Sequence, residues 1–432
     1  MTERLIIRNF AGLEEVDIEL GRINIFIGPQ ASGKSVCAKC LYWFKSFLPD
    51  FLASAALGHD WKAFENAFLN RFKEYFPGIW QSDGLLFLRY EVEGKFIELT
   101  NSDSKLLLRY DELFRRATYD IISGMIELKS KHSPSKTKWR TATSELDLLI
   151  EEHTLLDKIK GPLHGQVGDM LDTSQLFILA GRSFFAALKG AMLTFLANAP
   201  VVDPFLRSFI GDYELRRRYQ PSANNPRIKA LWSLAQHILK GELIVDGDED
   251  FIIGENGRKV KLANASSGQQ EAFALVLLLI NLVSDDDETP DQGPHTVYVE
   301  EPEAHLFPES QRAMAQLMTS VYQESVFSLQ YVITTHSPYL LASFNNLVYA
   351  HQLAETLRDQ PATLKALYKI VPKNQQLALA DVRVYGFENG RVKSLIDEEL
   401  GLLSADLLDS ASDVTGEQFG ALMALDPATQ PE

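Results

Sequence analysis

The chain has 432 residues, 58 acidic against 42 basic, and a formal net charge of −16. That length carries two or three domains, or one large domain with an insertion, and the composition is that of an ordinary globular protein. The acidic balance excludes a surface built for nonspecific phosphate binding, so nucleic acid is a partner only through some local basic groove, and the longest apolar run, 272–283, is too short to span a bilayer.

The N-terminus, MTERLIIRNF, presents charges at once and has no uninterrupted apolar core, so export is not expected and a cytoplasmic setting fits. Three apolar segments, RLIIRNF, EEVDIEL and INIFIG, read as strands, and the last runs into GPQASGKS at 28–35 and a helix from about residue 33. The octapeptide fits the phosphate-loop pattern G-x-x-x-x-G-K-[ST] in the strand, turn and helix setting that its chemistry requires. Gly28, Pro29, Gln30, Ala31, Ser32 and Gly33, with Val36 in the first helical turn, would cradle a β-phosphate on free N–H groups and the positive helix end. Lys34 would neutralise the β- and γ-oxygens and Ser35 would ligate Mg²⁺, so ATP and Mg²⁺ are the expected ligands. The two cysteines, Cys37 and Cys40, follow in CAKC; without a second pair they make no four-thiolate zinc site, and they read as buried helix residues rather than a redox pair.

From 46 to 169 helical patterns dominate (DWKAFENAFLNRFKEYF, DELFRRATYDIISGMIEL, ATSELDLLIEEHTLLDKI), broken by a hairpin, LLFLRYEVEGKFIELT, turning at Glu93 and Gly94. This block reads as a mostly helical insertion between a lobe at 1–45 and a second at 170–395. Its basic stretch KSKHSPSKTKWR (129–140), with Trp139 among the cations, reads as an exposed loop, or else as a contact for nucleic acid or an acidic partner.

Strand character returns in QLFILAG at 175–181 and ends on Arg182, which suits either a site arginine or a structural ion pair. LRRRY (215–219) carries three successive arginines, which a helix would spread around its circumference. A second hairpin, GELIVDGDEDFIIGENGRKVKLA, leads to NASSGQQEAF, where Ser266, Ser267, Gly268 and Gln269 open a long apolar helix. Their hydroxyls and N–H groups make an anion site at a positive helix end, or simply an N-cap. The acidic SDDDETPDQGP reads as a solvated connection.

TVYVEEPEAHLFP then ends an apolar strand on two carboxylates, at the end of a strand where α/β sheets hold their ligands. Glu300 would hold Mg²⁺ through its water shell, while Glu301, on the other side of the strand end, would polarise an attacking water as general base. A helix over 309–324, a strand LQYVITT and the segment HSPYLL come next, then a strand pair, DVRVYGFENGRVKSL, turning at Asn389 and Gly390. Residues 396–432 read as an acidic helical tail with a frayed end.

Taken in order, GPQASGKS, SSGQQE, VEEPEAHLFP and TTHSP resemble the ABC-type ATPase heads of the SMC and RecF kind, and most closely the OLD-like ATPases of bacterial and phage defence, over residues 1–45 and 170–395. The resemblance implies an α/β P-loop NTPase fold of ABC-ATPase type, with a mixed sheet and flanking helices. It implies that Ser266, Ser267, Gly268 and Gln269 close on the ATP held by the phosphate loop of another copy, in a head-to-tail dimer or higher oligomer. His336 becomes the switch histidine that contacts the γ-phosphate and the attacking water, His305 falls in the dimer-communication loop, and Arg182 stands where related ATPases show an arginine. Arg8 and Asn9 resemble a segment near the adenine.

Two departures narrow the expectation: the chain has no room for a long coiled coil, and after His336 no strand is followed by a D-x-D pair of a TOPRIM nuclease domain. The sequence therefore points to the sensor or regulatory ATPase of an anti-phage system, similar to the subunits of the Septu, retron-associated and PARIS types, with a nuclease or toxin effector in trans. The other reading is a RecF-like DNA-repair ATPase that binds DNA.

Overall fold

The computed structural model describes residues 2–57, 59–78, 84–102, 105–112, 114, 116, 174–184, 203–217, 225–247, 249–283, 295–397 and 399–404. Strands β1 (Glu3–Phe10) and β2 (Leu13–Leu20) form a hairpin over Ala11 and Gly12, both left-handed with φ of 54° and 82°, as a two-residue turn demands. β3 (Ile23–Ile27), β4 (Phe87–Val92), β5 (Lys95–Ser102), β6 (Lys105–Tyr110) and β7 (Ser174–Ile178) come next in the chain. After β8 (Gly241–Asp246), β9 (Glu249–Gly254) and β10 (Lys259–Lys261) come β11 (His295–Glu300), β12 (Leu329–Thr335), β13 (Val382–Glu388) and β14 (Arg391–Ser394).

One mixed sheet of 11 strands runs β6-β5-β4-β1-β2-β14-β13-β3-β12-β11-β7. Its functional half, β13-β3-β12-β11-β7, is entirely parallel. Every residue of β3, β11 and β12 is buried, which a parallel strand covered on both faces requires and which their largely apolar centres anticipate.

The period of two divides β3 between the two faces. Phe26 joins an aromatic core with Trp43, Phe44, Phe47, Phe64, Phe68 and Phe72, supplied by α1 (Lys34–Lys45), α2 (Phe47–Ala56) and α3 (Trp61–Tyr75). Ile23, Ile25 and Ile27 join an aliphatic core on the other face. There pack α4 (Pro204–Arg216), α5 (Pro226–Leu239), α6 (Ser267–Asn281), α7 (Pro308–Glu324) and α8 (Pro338–Thr356), with α9 (Pro361–Ile370) behind α8. α6 is buried all round from Glu271 to Asn281, the central helix its sequence predicts. The fold is thus α/β, a large mixed sheet with helices on both faces.

Several expectations are modified. Residues 87–110, read as part of an insertion, continue the main sheet: β4 pairs antiparallel with β1, Glu3 opposite Val92, and the buried faces of Leu88, Tyr90 and Val92 join the aromatic core. The second hairpin gains β10 as a third strand. Where the tail begins, β15 (Ile396–Asp397) and β16 (Leu402–Leu403) make a short ladder in place of helix. In LRRRY, Arg216 and Arg217 are buried and offer no basic surface, and Arg217, bonding Asp250 at 2.7 Å and the Gly247 carbonyl at 3.0 Å, ties the end of α4 to the β8 and β9 hairpin. Cys37 and Cys40 are fully buried, and burial pushes both thiols up, which keeps them protonated and inert. The helical patterns at 117–170, the basic stretch with Trp139, the acidic connection at 284–294 and the tail beyond 404 lie outside the described residues.

Candidate functional site

Register sets the site. Thr335 lies opposite Ile27 and Thr334 opposite Glu300, so the C-terminal ends of β3, β12 and β11 stand level and side by side. The segments leaving these strands are therefore brought together: the phosphate loop after β3, His336 after β12, and Glu300 and Glu301 at the end of β11.

In the loop, the Lys34 ammonium donates to the Gly28 carbonyl at 2.9 Å, the Pro29 carbonyl at 2.7 Å and the Ser32 hydroxyl at 3.2 Å. Burial pushes its pKa down to about 8, against the pull of Glu301 and Glu303. Position 28 admits only glycine, because a Cβ there would lie 2.3 Å from the Phe387 carbonyl at the end of β13. Pro29, Gln30, Ala31 and Ser35 are exposed along the rim, Gly33 holds the left-handed corner into α1, and Val36 packs on the aromatic core.

His336 bridges the two charge signs. Its Nδ1 stands 3.4 Å from the Lys34 ammonium and its Nε2 3.1 Å from Glu301 Oε1. The tautomer with its proton on Nε2 suits both contacts: Nδ1 would accept from the lysine and Nε2–H would donate to the glutamate. Glu303 fixes the ring's backbone, since its Oε1 accepts from the His336 N–H and from the Thr335 hydroxyl, each at 2.7 Å.

The two adjacent carboxylates diverge, as the sequence suggests. Glu301 adopts a left-handed backbone with φ of 45°, its N–H donating to the Thr334 carbonyl at 2.9 Å, and this turn swings its carboxylate to His336. Glu300 faces the exit of β7, where Oε2 accepts from Ala180 N–H at 3.3 Å. Its Oε1 is buried and has no hydrogen-bond partner among the described residues. A buried carboxylate oxygen left without a donor suits a cation, and Mg²⁺ takes oxygen ligands, keeps several waters and needs only one or two from protein. Among the described residues no group of three or more His, Cys, Asp or Glu side chains converges on one point.

Ser266 caps α6 in a capping box with Gln269: the Gln269 N–H reaches Ser266 Oγ at 3.4 Å and Gln269 Oε1 accepts from Ser266 N–H at 3.2 Å. Gln269 Nε2 continues to the Leu239 carbonyl at 2.8 Å, while Ser266 and Ser267 stay exposed. Gly268 lies so close to the loop after β11 that a Cβ would meet the His305 carbonyl at 2.5 Å. Within one chain this turn therefore abuts the His305 loop, and its own hydrogen bonds match the N-cap reading.

Arg182 is buried, with 1% of its surface exposed, and its guanidinium donates to backbone carbonyls, including those of Glu300 at 2.8 Å and Glu301 at 3.0 Å. Its Nε also stands 3.4 Å from Glu271 Oε2, an ion pair within the chain. Arg8 pairs with Glu15 at 3.6 Å on an exposed face, and Asn9 reaches the Leu85 carbonyl at 3.4 Å. Two residues escaped the sequence reading: Glu303, visible as the third acid of EEPE, and Glu271, whose signal is a carboxylate inside an apolar helix.

A family model described as an AAA ATPase domain matches residues 212–341, from within α4 to the first turn of α8, a span that holds SSGQQ, both glutamates and His336 but not the phosphate loop. Among solved structures, the chain is similar to the SMC head domain from Thermotoga maritima, at 11% identity over 91% of this chain and 97% of that one, with a TM-score of 0.37. It is similar to an SMC head bound to the C-terminal winged-helix domain of ScpA, at 13% identity over 92% and 98%, with a TM-score of 0.40. The recombination mediator protein RecF aligns at 12% identity over 91% and 98%, with a TM-score of 0.30. No curated protein matches the chain in sequence. Among the described residues no helix is long and apolar enough to cross a membrane.

Proposed function

We propose that the chain is a Mg²⁺-dependent ATPase of the SMC and RecF kind, in which the phosphate loop holds ATP and Glu301, assisted by His336, activates the attacking water. The carrying observation is the convergence of Lys34, His336, Glu300 and Glu301 at three adjacent parallel strand ends. The AAA ATPase domain match over 212–341 supports the same class.

On binding, Lys34 exchanges its loop carbonyls for phosphate oxygens, and Glu301, no longer the sole partner of the His336 Nε2–H, accepts a water proton. Mg²⁺, held by Ser35 and Glu300, would neutralise charge on the transferring phosphoryl group. The turn of Ser266, Ser267, Gly268 and Gln269, whose two serines are exposed at the head of α6, completes the site of a second copy in a head-to-tail dimer or higher oligomer. Closure is driven because the turn gains a γ-phosphate contact only in the closed state.

By the resemblance of its motifs, this ATPase serves as the sensor or regulatory subunit of a bacterial anti-phage system and controls a nuclease or toxin in trans, in the cytoplasm. The second reading, a RecF-like ATPase acting on DNA, predicts DNA-stimulated turnover with steep salt dependence. The net charge of −16 favours the first. Lys34→Ala tests the class: ATP binding should vanish, and wild-type affinity would refute the assignment of the loop. Co-purification with the products of neighbouring genes tests the role, a bound nuclease or toxin supporting it and DNA-dependent activity alone supporting the second reading.

A further inference from the structure

Arg182 is a charged side chain at full burial whose partners come from three separate elements. Nη1 donates to the Leu179 carbonyl at the exit of β7 and to the Glu300 carbonyl, each at 2.8 Å. Nη2 donates to the Glu301 carbonyl at 3.0 Å, and Nε to the Glu271 carbonyl on α6 at 2.8 Å. The Glu271 carboxylate locks the arginine in turn: Oε2 accepts from the Arg182 N–H at 2.9 Å and lies 3.4 Å from Nε, while Oε1 takes the Ser183 N–H at 2.9 Å and the Ser183 hydroxyl at 2.7 Å.

Two features make this more than a core ion pair. The carbonyls it gathers include those of both carboxylates at the strand end, and one of these, Glu301, holds a left-handed φ of 45° that a side-chain-bearing residue keeps only where its surroundings enforce it. The same turn sets Glu301 Oε1 at 3.1 Å from His336. A planar guanidinium can bond several carbonyls at fixed angles, whereas a lysine ammonium is a point donor that cannot span them.

We infer that Arg182, locked by Glu271, is the positioning residue that holds the left-handed Glu301 turn and so fixes the Glu301 carboxylate against His336. Arg182 acts through the backbone of Glu301 and touches no reacting atom. Glu271 lies about one helical turn beyond Ser267, so the same contact also fixes the head of α6 relative to this turn.

The inference rests on Glu301 being the general base, and the test separates the two. Single-turnover ATP cleavage and the Kd for a non-hydrolysable ATP analogue are measured in the full chain for Arg182→Lys, Glu271→Gln, Glu301→Gln and the double variants of each with Glu301→Gln. The expected result is that Arg182→Lys slows cleavage on the order of 100-fold and Glu271→Gln about 10-fold, with Kd changed less than about threefold. In the Glu301→Gln background both effects disappear, because the carboxylate they position is gone. A purely structural role would lower cleavage by the same factor in both backgrounds, or weaken nucleotide binding in parallel, and either result overturns the inference. Should Arg182→Lys fail to fold, the isosteric Glu271→Gln decides by the same comparison. Wild-type cleavage by Glu301→Gln would instead refute the assignment of the base, whereas an inactive Glu301→Gln beside fully active Arg182→Lys and Glu271→Gln would refute the positioning alone.

Discussion

At Lys34, burial and function pull in opposite directions. The ammonium is buried among carbonyls and its pKa is pushed down to about 8, so above that pH the free protein increasingly holds a neutral amine. Phosphate contact requires the charged form, so nucleotide binding should take up a proton, and affinity should fall by up to about tenfold per pH unit above pH 8. Calorimetry in two buffers of different ionisation enthalpy reads the proton directly, and pH-independent affinity from 7 to 9.5 would contradict the assignment. For stability the sign is reversed. The folded pKa lies below the ordinary 10.5, so the unfolded chain binds more protons between pH 8 and 10.5, and this group's penalty on folding is full below pH 8 and fades as pH rises through that window. The identities of Lys34, Ser35, Glu300 and Glu301 were legible because the phosphate-loop spacing and a strand ending in acids are local patterns. The Arg182 and Glu271 pair was not, since its members stand 89 residues apart and only the sheet brings them together.

Elements show the same division between local and distant information. β3, β11 and β12 have apolar centres, from which burial on both faces is expected, although Asn24, His295 and Gln330 are buried with them. The turn of the β4 and β5 hairpin was equally plain, with Glu93 and Gly94 at φ of 48° and 76°. What alternation at Leu88, Tyr90 and Val92 cannot specify is which strand lies alongside, so a hairpin that extends the main sheet read as part of a separate insertion. The head of α6 offers a test of packing at this scale. Gly268→Ala forces a Cβ to 2.5 Å from the His305 carbonyl, and because that neighbour is backbone the two segments must part. A loss of about 1–3 kcal/mol in chemical denaturation is expected. An unchanged midpoint would mean that the α6 turn and the His305 loop do not touch.

For the molecule as a whole, the parallel half of the sheet gathers the candidate site at one set of strand ends. Lys34, His336 and Glu301 meet within it, while the exposed Ser266 and Ser267 sit at the head of α6 against the His305 loop. Ser267→Arg should leave the fold and the Kd for ATP unchanged, because the position is exposed, yet reduce turnover at least about 100-fold if the serine serves a second copy. Full turnover would exclude the composite arrangement. The central claim, that Glu301 is the base of an ATP site completed by a second chain, meets its most direct measurement in Glu301→Gln: ATP turnover and, by light scattering, mass in ATP and Mg²⁺. The account predicts intact binding, turnover lowered by about 10² to 10⁴ and a mass twice that of the nucleotide-free protein. Wild-type turnover by a strict monomer would contradict it.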